Sequence, residues 1–254
     1  MSASCAAGLT IEDIYSQLLS GTTAISMQDK YIDGISMPLG KIPTQCDFYE
    51  LMYQNVTTAL EKISGINCKD TLVLVGSSVG GMGYAERSYF ACHDCVNTSV
   101  EELTIGSIAQ GLKDRFGFKD AISFSTACTS SSMAIDFAFD LIHSGKVENV
   151  VVVGADELSR SAVNGFWHLG VGSTNLTRPF DKDRNGINVG EGIGVLVFSN
   201  KPNQDKIAIL GCGSSSDAYN ITHPHPEGEG AITAMQEALH SAGLQPSDID
   251  YINA

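Results

Sequence analysis

Cys128 is the residue of this chain best placed for covalent chemistry. It lies in the run Ser123-Phe-Ser-Thr-Ala-Cys-Thr-Ser-Ser-Ser-Met-Ala134, where a strand-like stretch hands over to a helix whose first turn carries only small or hydroxyl side chains. Such a turn projects one side chain outward. Unpaired amides and the positive end of the helix dipole favour a thiolate there, and the thiolate is the form that attacks carbonyl carbon. The backbone amide of Cys128 also qualifies as half of an oxyanion hole. The plain alternative is one more small buried residue.

Three other constellations compete. Gly76-Ser-Ser-Val-Gly80 fits the G-x-S-x-G elbow of serine hydrolases, with Ser78 as nucleophile and Asp156 and His223 or His225 following in the required order. Gly81, Met82 and Gly83 make a poor helix start after it, at about 1 kcal/mol per glycine relative to alanine. Cys92-His-Asp-Cys95 has the spacing of a zinc knuckle that His223 and His225 would complete, but no second C-x-x-C exists and the plain reading is a surface loop. The glycines from Gly186 to Gly194 precede a strand rather than a helix, which is wrong for a dinucleotide fingerprint, and no Walker A motif is present. No metal and no cofactor are therefore expected. Glu191 and Asp181 read as structural carboxylates that hold a tight turn to Arg178 or Arg184.

The elements that position these residues alternate between β-rich and helical runs, as in a parallel sheet covered by helices. A helix follows Thr10, with Asp13 as a weak capping box, and ends near Gly21. Phe48, Leu51, Met52, Val56, Ala59, Leu60 and Ile63 recur at helical spacing. Strands are expected at 71–75, ending in Gly76, at 122–126 and at 148–153, with helices over 100–115 and 129–144. Val195 to Phe198 and Ile207 to Gly211 are expected to form a hairpin. Ala231 to Ala242 reads as a helix capped by Gly243, and Ile249 to Ile252 begins one more strand.

The 254 residues, 43% of them apolar, suffice for a sizeable core in a single domain with no repeat or long linker. Twenty-nine Asp and Glu against fifteen Lys and Arg leave a net charge of -14, which repels phosphate backbones and anionic headgroups, so nucleic acid and membrane are excluded as partners. Seven cysteines, an odd number thinly spread, suit a reducing cytoplasm. No apolar run approaches the roughly 20 residues that span a bilayer, and no signal peptide opens the chain.

Thr126-Ala-Cys-Thr-Ser-Ser-Ser-Met-Ala134 resembles the nucleophile segment of the β-ketoacyl-acyl carrier protein synthases, condensing enzymes of the thiolase superfamily. Other stretches agree in the same order. Gly76-Ser-Ser-Val-Gly-Gly81 is similar to their glycine-rich turn beside the acyl pocket, and the strand from Val150 to Asp156 ends as theirs does. Arg178-Pro-Phe-Asp-Lys-Asp-Arg-Asn-Gly186 followed by Gly190-Glu-Gly-Ile-Gly194 resembles their long signature. Ser216-Asp-Ala-Tyr219, Pro224-His-Pro-Glu-Gly228 and Asp250-Tyr-Ile-Asn-Ala254 complete the series.

The resemblance implies the N-terminal half of a thiolase-like α/β fold, with a mixed five-stranded sheet between helical layers. It implies a two-step reaction in which an acyl group moves from the phosphopantetheine thiol of an acyl carrier protein to Cys128. A malonyl carrier thioester then loses carbon dioxide and attacks that acyl thioester, in fatty acid or polyketide synthesis. Phe166 aligns with the family's gating phenylalanine, Val79 with a residue that limits chain length across a dimer interface, and Gly80 lies in the same turn. Lys113, Arg115 and Lys119 are the docking cations that the resemblance suggests for an acidic carrier, although three cations there also suit a solvated face. A homodimer or heterodimer is implied.

In the family the first catalytic histidine follows the Asn-Ala pair directly, so a chain stopping at Ala254 is expected to hold the nucleophile without completing condensation. The start is likewise expected to fall short of the family's first strand, and both ends suggest a fragment. A non-catalytic partner subunit similar to the chain-length factors is one alternative, which the retained Cys128 opposes; a truncated chain that only binds acyl carrier is another, which the missing histidines leave open.

Overall fold

Valine-rich runs form the buried strands, and segments with apolar residues every three or four positions form the helices that cover them. The computed structural model describes residues 1–92, 104–201, 207–220 and 224–253. In chain order these form β1 (Ser2–Cys5), α1 (Ile11–Leu19), β2 (Ser26–Ile32), β3 (Ile35–Leu39), α2 (Phe48–Glu61), β4 (Leu72–Gly76) and α3 (Met82–Cys92). There follow α4 (Ile105–Phe116), β5 (Asp120–Phe124), α5 (Ser130–His143), β6 (Asn149–Asp156), α6 (Arg160–His168), β7 (Gly192–Ser199) and α7 (Glu229–Ala242).

Five strands make one mixed sheet in the order β1-β7-β6-β4-β5, as expected, and β2 with β3 make a separate antiparallel hairpin. β4 runs parallel to both β5 and β6, while β7 runs antiparallel to β6 and β1. The inner strands are covered on both faces, which is why they read as near-continuous Val and Leu. Val73, Val75, Val151 and Val153 pack with Met52 and Val56 of α2 and Ile108 and Leu112 of α4. The alternate residues Leu74, Val150 and Val152 pack with Ala134 and Ala138 of α5. Thr10 caps α1 by accepting the Asp13 amide at 3.1 Å, and its hydroxyl donates to the Asp13 carboxylate at 2.8 Å.

Several expectations need correction. Ile207 to Gly211 forms no strand, because both edges of β7 are already taken by β1 and β6. The segment lies instead against α7, where a Cβ at Gly211 would stand 2.5 Å from the Ala242 nitrogen. Ile249 to Ile252 forms no strand either; it follows a 3-10 turn at Pro246–Asp248, and no described strand lies beside it. At the other end, Ser2 to Cys5 suffices for β1, since β7 offers it an antiparallel edge. The helix expected over 100–115 begins at Ile105, after an extended N-cap at Thr104; positions 100–103 lie outside the described residues.

Candidate active site

The parallel strands β4, β5 and β6 end at one rim, where Gly76 is the register partner of both Phe124 and Gly154. In open α/β sheets ligands bind beyond such carboxyl ends. Cys128 lies there, exposed, between the end of β5 and the first residue of α5. The turn that carries it is built by its hydroxyl neighbours. Ala127 adopts a left-handed φ of 55°, unusual for a residue with a side chain. Its carbonyl accepts the Ser130 hydroxyl at 2.6 Å, the Ser78 hydroxyl at 2.9 Å and the Ser130 amide at 3.0 Å. The Ser130 oxygen in turn accepts the Thr126 amide at 3.0 Å, and the Thr129 hydroxyl donates to the Thr126 carbonyl at 2.7 Å. The run of small side chains thus serves as the scaffold of the turn.

Two glycines bring α5 onto the rim. A Cβ at Gly76 would stand 2.5 Å from the Ser131 backbone nitrogen, and one at Gly154 would stand 2.5 Å from the Ser131 hydroxyl. Only residues without side chains admit the first turn of α5 this close to the strands.

The Gly76 to Gly81 turn lies beside the Cys128 turn and is tied to Asp156 at the end of β6. One oxygen of that carboxylate, Oδ1, accepts the Ser77 hydroxyl at 2.7 Å, the Ser78 amide at 2.8 Å and the Val79 amide at 3.0 Å. The Ser77 hydroxyl accepts the Gly80 amide at 2.9 Å. Gly80 has a φ of 55°, and a Cβ on it would come 2.9 Å from Ile105 Cγ1. Val79 and Gly80 are therefore brought to the Cys128 side of the sheet. Phe166 is half-buried on α6, and no hydrogen bond or ring contact among the described residues ties it to the Cys128 turn.

Ser78 does not sit in a hydrolase site. Its hydroxyl is spent on the Ala127 carbonyl, and Asp156 orders the turn's backbone rather than a histidine. His225 packs edge-on against Tyr219 at 4.9 Å, and its amide donates to Asp217; His223 lies outside the described residues. The glycine objection to an elbow fails, however, because α3 does begin at Met82.

Lys113, Arg115 and Lys119, the cations expected to receive a carrier, lie at the opposite end of β5 from Cys128. Lys113 binds Asp120 at 2.9 Å, and this hydrogen bond, with a further one from the Ala121 amide, holds the Asp120 carboxyl below the usual carboxylate range. The Arg115 guanidinium lies 5.5 Å over the Tyr53 ring, and Lys119 is exposed.

A cleft of about 760 Å³ lies elsewhere, lined by Lys30, Lys41, Arg87, Glu157, Arg160 and Glu191 among others. Its acids are structural. Glu86 caps α6 by accepting the Arg160 and Ser161 amides at 2.6 and 2.7 Å, and Glu157 pairs with Arg87. Burial pushes the Glu157 carboxyl up, against the pull of Arg87. Glu191 is structural, as expected, but its partners are the amides of Ile42 and Leu158 rather than an arginine. Asp181 does face Arg178, at 3.7 Å, and accepts the Asp183 amide. Among the described residues no group of three His, Cys, Asp or Glu is placed to hold a metal; the Cys92 side chain, Cys95 and His223 lie outside them. No described helix is long and apolar enough to cross a membrane.

Sequence reasoning named Asp156 and Ser78 but missed what they do, Asp156 gathering the Gly76 to Gly81 turn and Ser78 bonding the Ala127 carbonyl, and it missed the part of Ser130 in the Cys128 turn. A Ser-Ser pair directly after one strand and an Asp closing its parallel neighbour was the available signal.

Residues 13–203 match the family model of the β-ketoacyl synthase N-terminal domain, and residues 207–254 match that of the C-terminal domain. The 3-oxoacyl-[acyl-carrier-protein] synthase 2 of Staphylococcus aureus is 32% identical over 205 residues, covering 72% of this chain and 50% of that protein. A 3-oxoacyl-[acyl-carrier-protein] synthase homolog of Saccharomyces cerevisiae is 32% identical over 213 residues, 78% of this chain and 47% of its own length. Among solved structures, a chain of the ketosynthase and chain length factor complex from Xenorhabdus doucetiae superposes with a TM-score of 0.86 at 29% identity, over 99% of this chain and 69% of that one. A β-ketoacyl synthase from Burkholderia phymatum shares the fold, with a TM-score of 0.83 at 24% identity, over 100% of this chain and 72% of its own. The chain spans about half the length of the curated relatives it matches.

Proposed function

The chain belongs to the β-ketoacyl synthase family, and on that premise we propose that Cys128 is its acyl-accepting nucleophile. The Cys128 thiolate attacks the carbonyl carbon of an acyl thioester on a carrier protein. The oxygen of the tetrahedral intermediate meets the Cys128 amide, and collapse expels the carrier thiolate, which takes up a proton and leaves an acyl-Cys128 thioester. In the second step a malonyl thioester loses carbon dioxide. The resulting enolate carbon attacks the acyl thioester, releasing the Cys128 thiolate and a chain two carbons longer. Val79, Gly80 and Phe166 are proposed to line the acyl site.

The observation that carries this reading is an exposed cysteine held at a strand-to-helix junction beyond the rim of parallel strands. The test is incubation with a short acyl N-acetylcysteamine thioester followed by intact mass and peptide mapping. One acyl group is expected, on Cys128, and none in Cys128→Ala. Acylation of Cys46, Cys68 or Cys212 as fast as Cys128 would overturn the assignment.

The partner proposed is an acyl carrier protein, received through Arg115 and Lys119, with Lys113 shared with Asp120. An acidic carrier needs local cations on a chain of net charge -14. Reversing Arg115 and Lys119 to Glu is expected to raise KM for the carrier-borne acyl group several-fold while leaving the small thioester unaffected. Equal kinetics with both substrates would remove the patch. A second copy or a related subunit is the proposed assembly partner; β5, at the end of the sheet order, offers the edge for it.

A further inference from the structure

Ala127 and Cys128 share a peptide group, so whatever binds the Ala127 carbonyl acts on the Cys128 N–H. Three donors converge on that carbonyl, and one of them, the Ser78 hydroxyl, comes from a different strand-end turn. Hydrogen bonds to a peptide oxygen draw electron density from the nitrogen and strengthen its N–H as a donor. No acceptor among the described residues takes up the Cys128 N–H. Ser78 is itself held, since its amide, the Val79 amide and the Ser77 hydroxyl are gathered by Asp156.

We propose that Ser78, fixed by Asp156, is a positioning residue that polarises and orients the Cys128 amide as an oxyanion donor. The inference rests on the acyl-transfer reading above and adds a specific role within it. Asp156 closes β6, Ser78 follows β4 and Cys128 follows β5, so the chain Asp156, turn backbone, Ser78 hydroxyl and Ala127 carbonyl couples three parallel strand ends to one N–H.

Two reactions at the same sulfur separate this role from mere placement of the cysteine. Alkylation by iodoacetamide is displacement at a saturated carbon and forms no oxyanion, whereas acylation by a thioester does. In Ser78→Ala the rate of Cys128 acylation is expected to fall about tenfold, less than the loss of an entire oxyanion donor, while alkylation stays within about twofold. Ser78→Thr, which keeps the hydroxyl, restores acylation. In 15N-labelled protein the Cys128 amide proton moves upfield in Ser78→Ala and returns in Ser78→Thr. Equal falls in both reactions, or no fall in either, would overturn the proposal and leave the nucleophile assignment intact. A parent chain that is alkylated at Cys128 but never acylated would overturn the acyl-transfer reading, and this role with it.

Discussion

Gly76→Ala is expected to lose about 3 kcal/mol in urea unfolding, the upper part of the range for forcing extra volume into a packed site, and to displace Cys128 as it does so. Gly76 is buried at the end of β4, and the atoms a methyl group would meet are all main chain: Ser131 N and Cα at 2.5 Å and Ser130 C at 2.6 Å. Main-chain atoms cannot rotate away, so the first turn of α5 must lift. Lifting it strains the Ser130 bonds to Ala127 and Thr126 that shape the Cys128 turn. Gly154→Ala is the informative contrast, because its nearest neighbour is the Ser131 hydroxyl at 2.5 Å, with the Ser131 Cβ at 3.1 Å. A hydroxyl can turn or be removed. Gly154→Ala should therefore cost only about 1 kcal/mol, and Ser131→Ala should recover part of that loss while doing nothing for Gly76→Ala. A Gly76→Ala chain as stable as its parent, with Cys128 alkylated at the parent rate, would show that α5 does not depend on this contact.

That dependence runs through pairs of residues far apart in sequence, and the same distinction separates what was legible in the chain from what was not. The strands of the inner sheet were legible because burial on both faces selects continuous Val and Leu, and the Cys128 junction because local chemistry sets it. β2 and β3 were missed, although Asp33-Gly34 between two apolar residues is the local signature of a two-residue hairpin turn. The exposed polar start of β2 hid it, since only Tyr31 and Ile32 of that strand are buried, against Val163 of α6. α3 was missed because Gly81 and Gly83 disfavour a helix locally. Gly83 is there for packing, as the Glu157 carboxylate occupies the space its side chain would need. α6 opens on a cap from Ser159, which is local, and on Glu86 from α3, which is not. Ile207 to Gly211 shows the converse, a strand-like run with no edge left to join. Ser78 was singled out for the wrong chemistry. Its glycine-flanked turn was visible, but the Ala127 carbonyl that takes its hydroxyl lies 49 positions away.

Glu191→Ala is expected to cost about 3 kcal/mol, because it strips the acceptor from two backbone amides at once. Oε1 of Glu191 accepts the Ile42 amide at 2.8 Å and Oε2 accepts the Leu158 amide at 3.1 Å, which joins the segment after β3 to the segment after β6. The main chain adds to the same junction, with the Glu191 amide donating to the Gly40 carbonyl and the Gly40 amide donating to the Val189 carbonyl, each at 2.9 Å. Glu191→Gln is not conservative here. A glutamine offers one oxygen, and its amino group would face a second N–H donor, so one of the two amides stays unpaired whichever way the side chain is turned. The expected order is therefore parent, then Gln at about 2 kcal/mol, then Ala at about 3 kcal/mol, measured by urea unfolding. Hydrogen exchange should quicken at both Ile42 and Leu158 in Ala but mainly at one of them in Gln. Were charge alone responsible, Gln and Ala would be equally unstable and both amides would exchange alike in each. A Gln variant as stable as the parent would mean that at least one of the two amides does not rely on Glu191, and the link between the hairpin and the start of α6 would then rest more on the Asn164 bond to the Tyr31 carbonyl, the Arg160–Asp33 pair and the apolar contacts of Leu39, Leu158 and Val163.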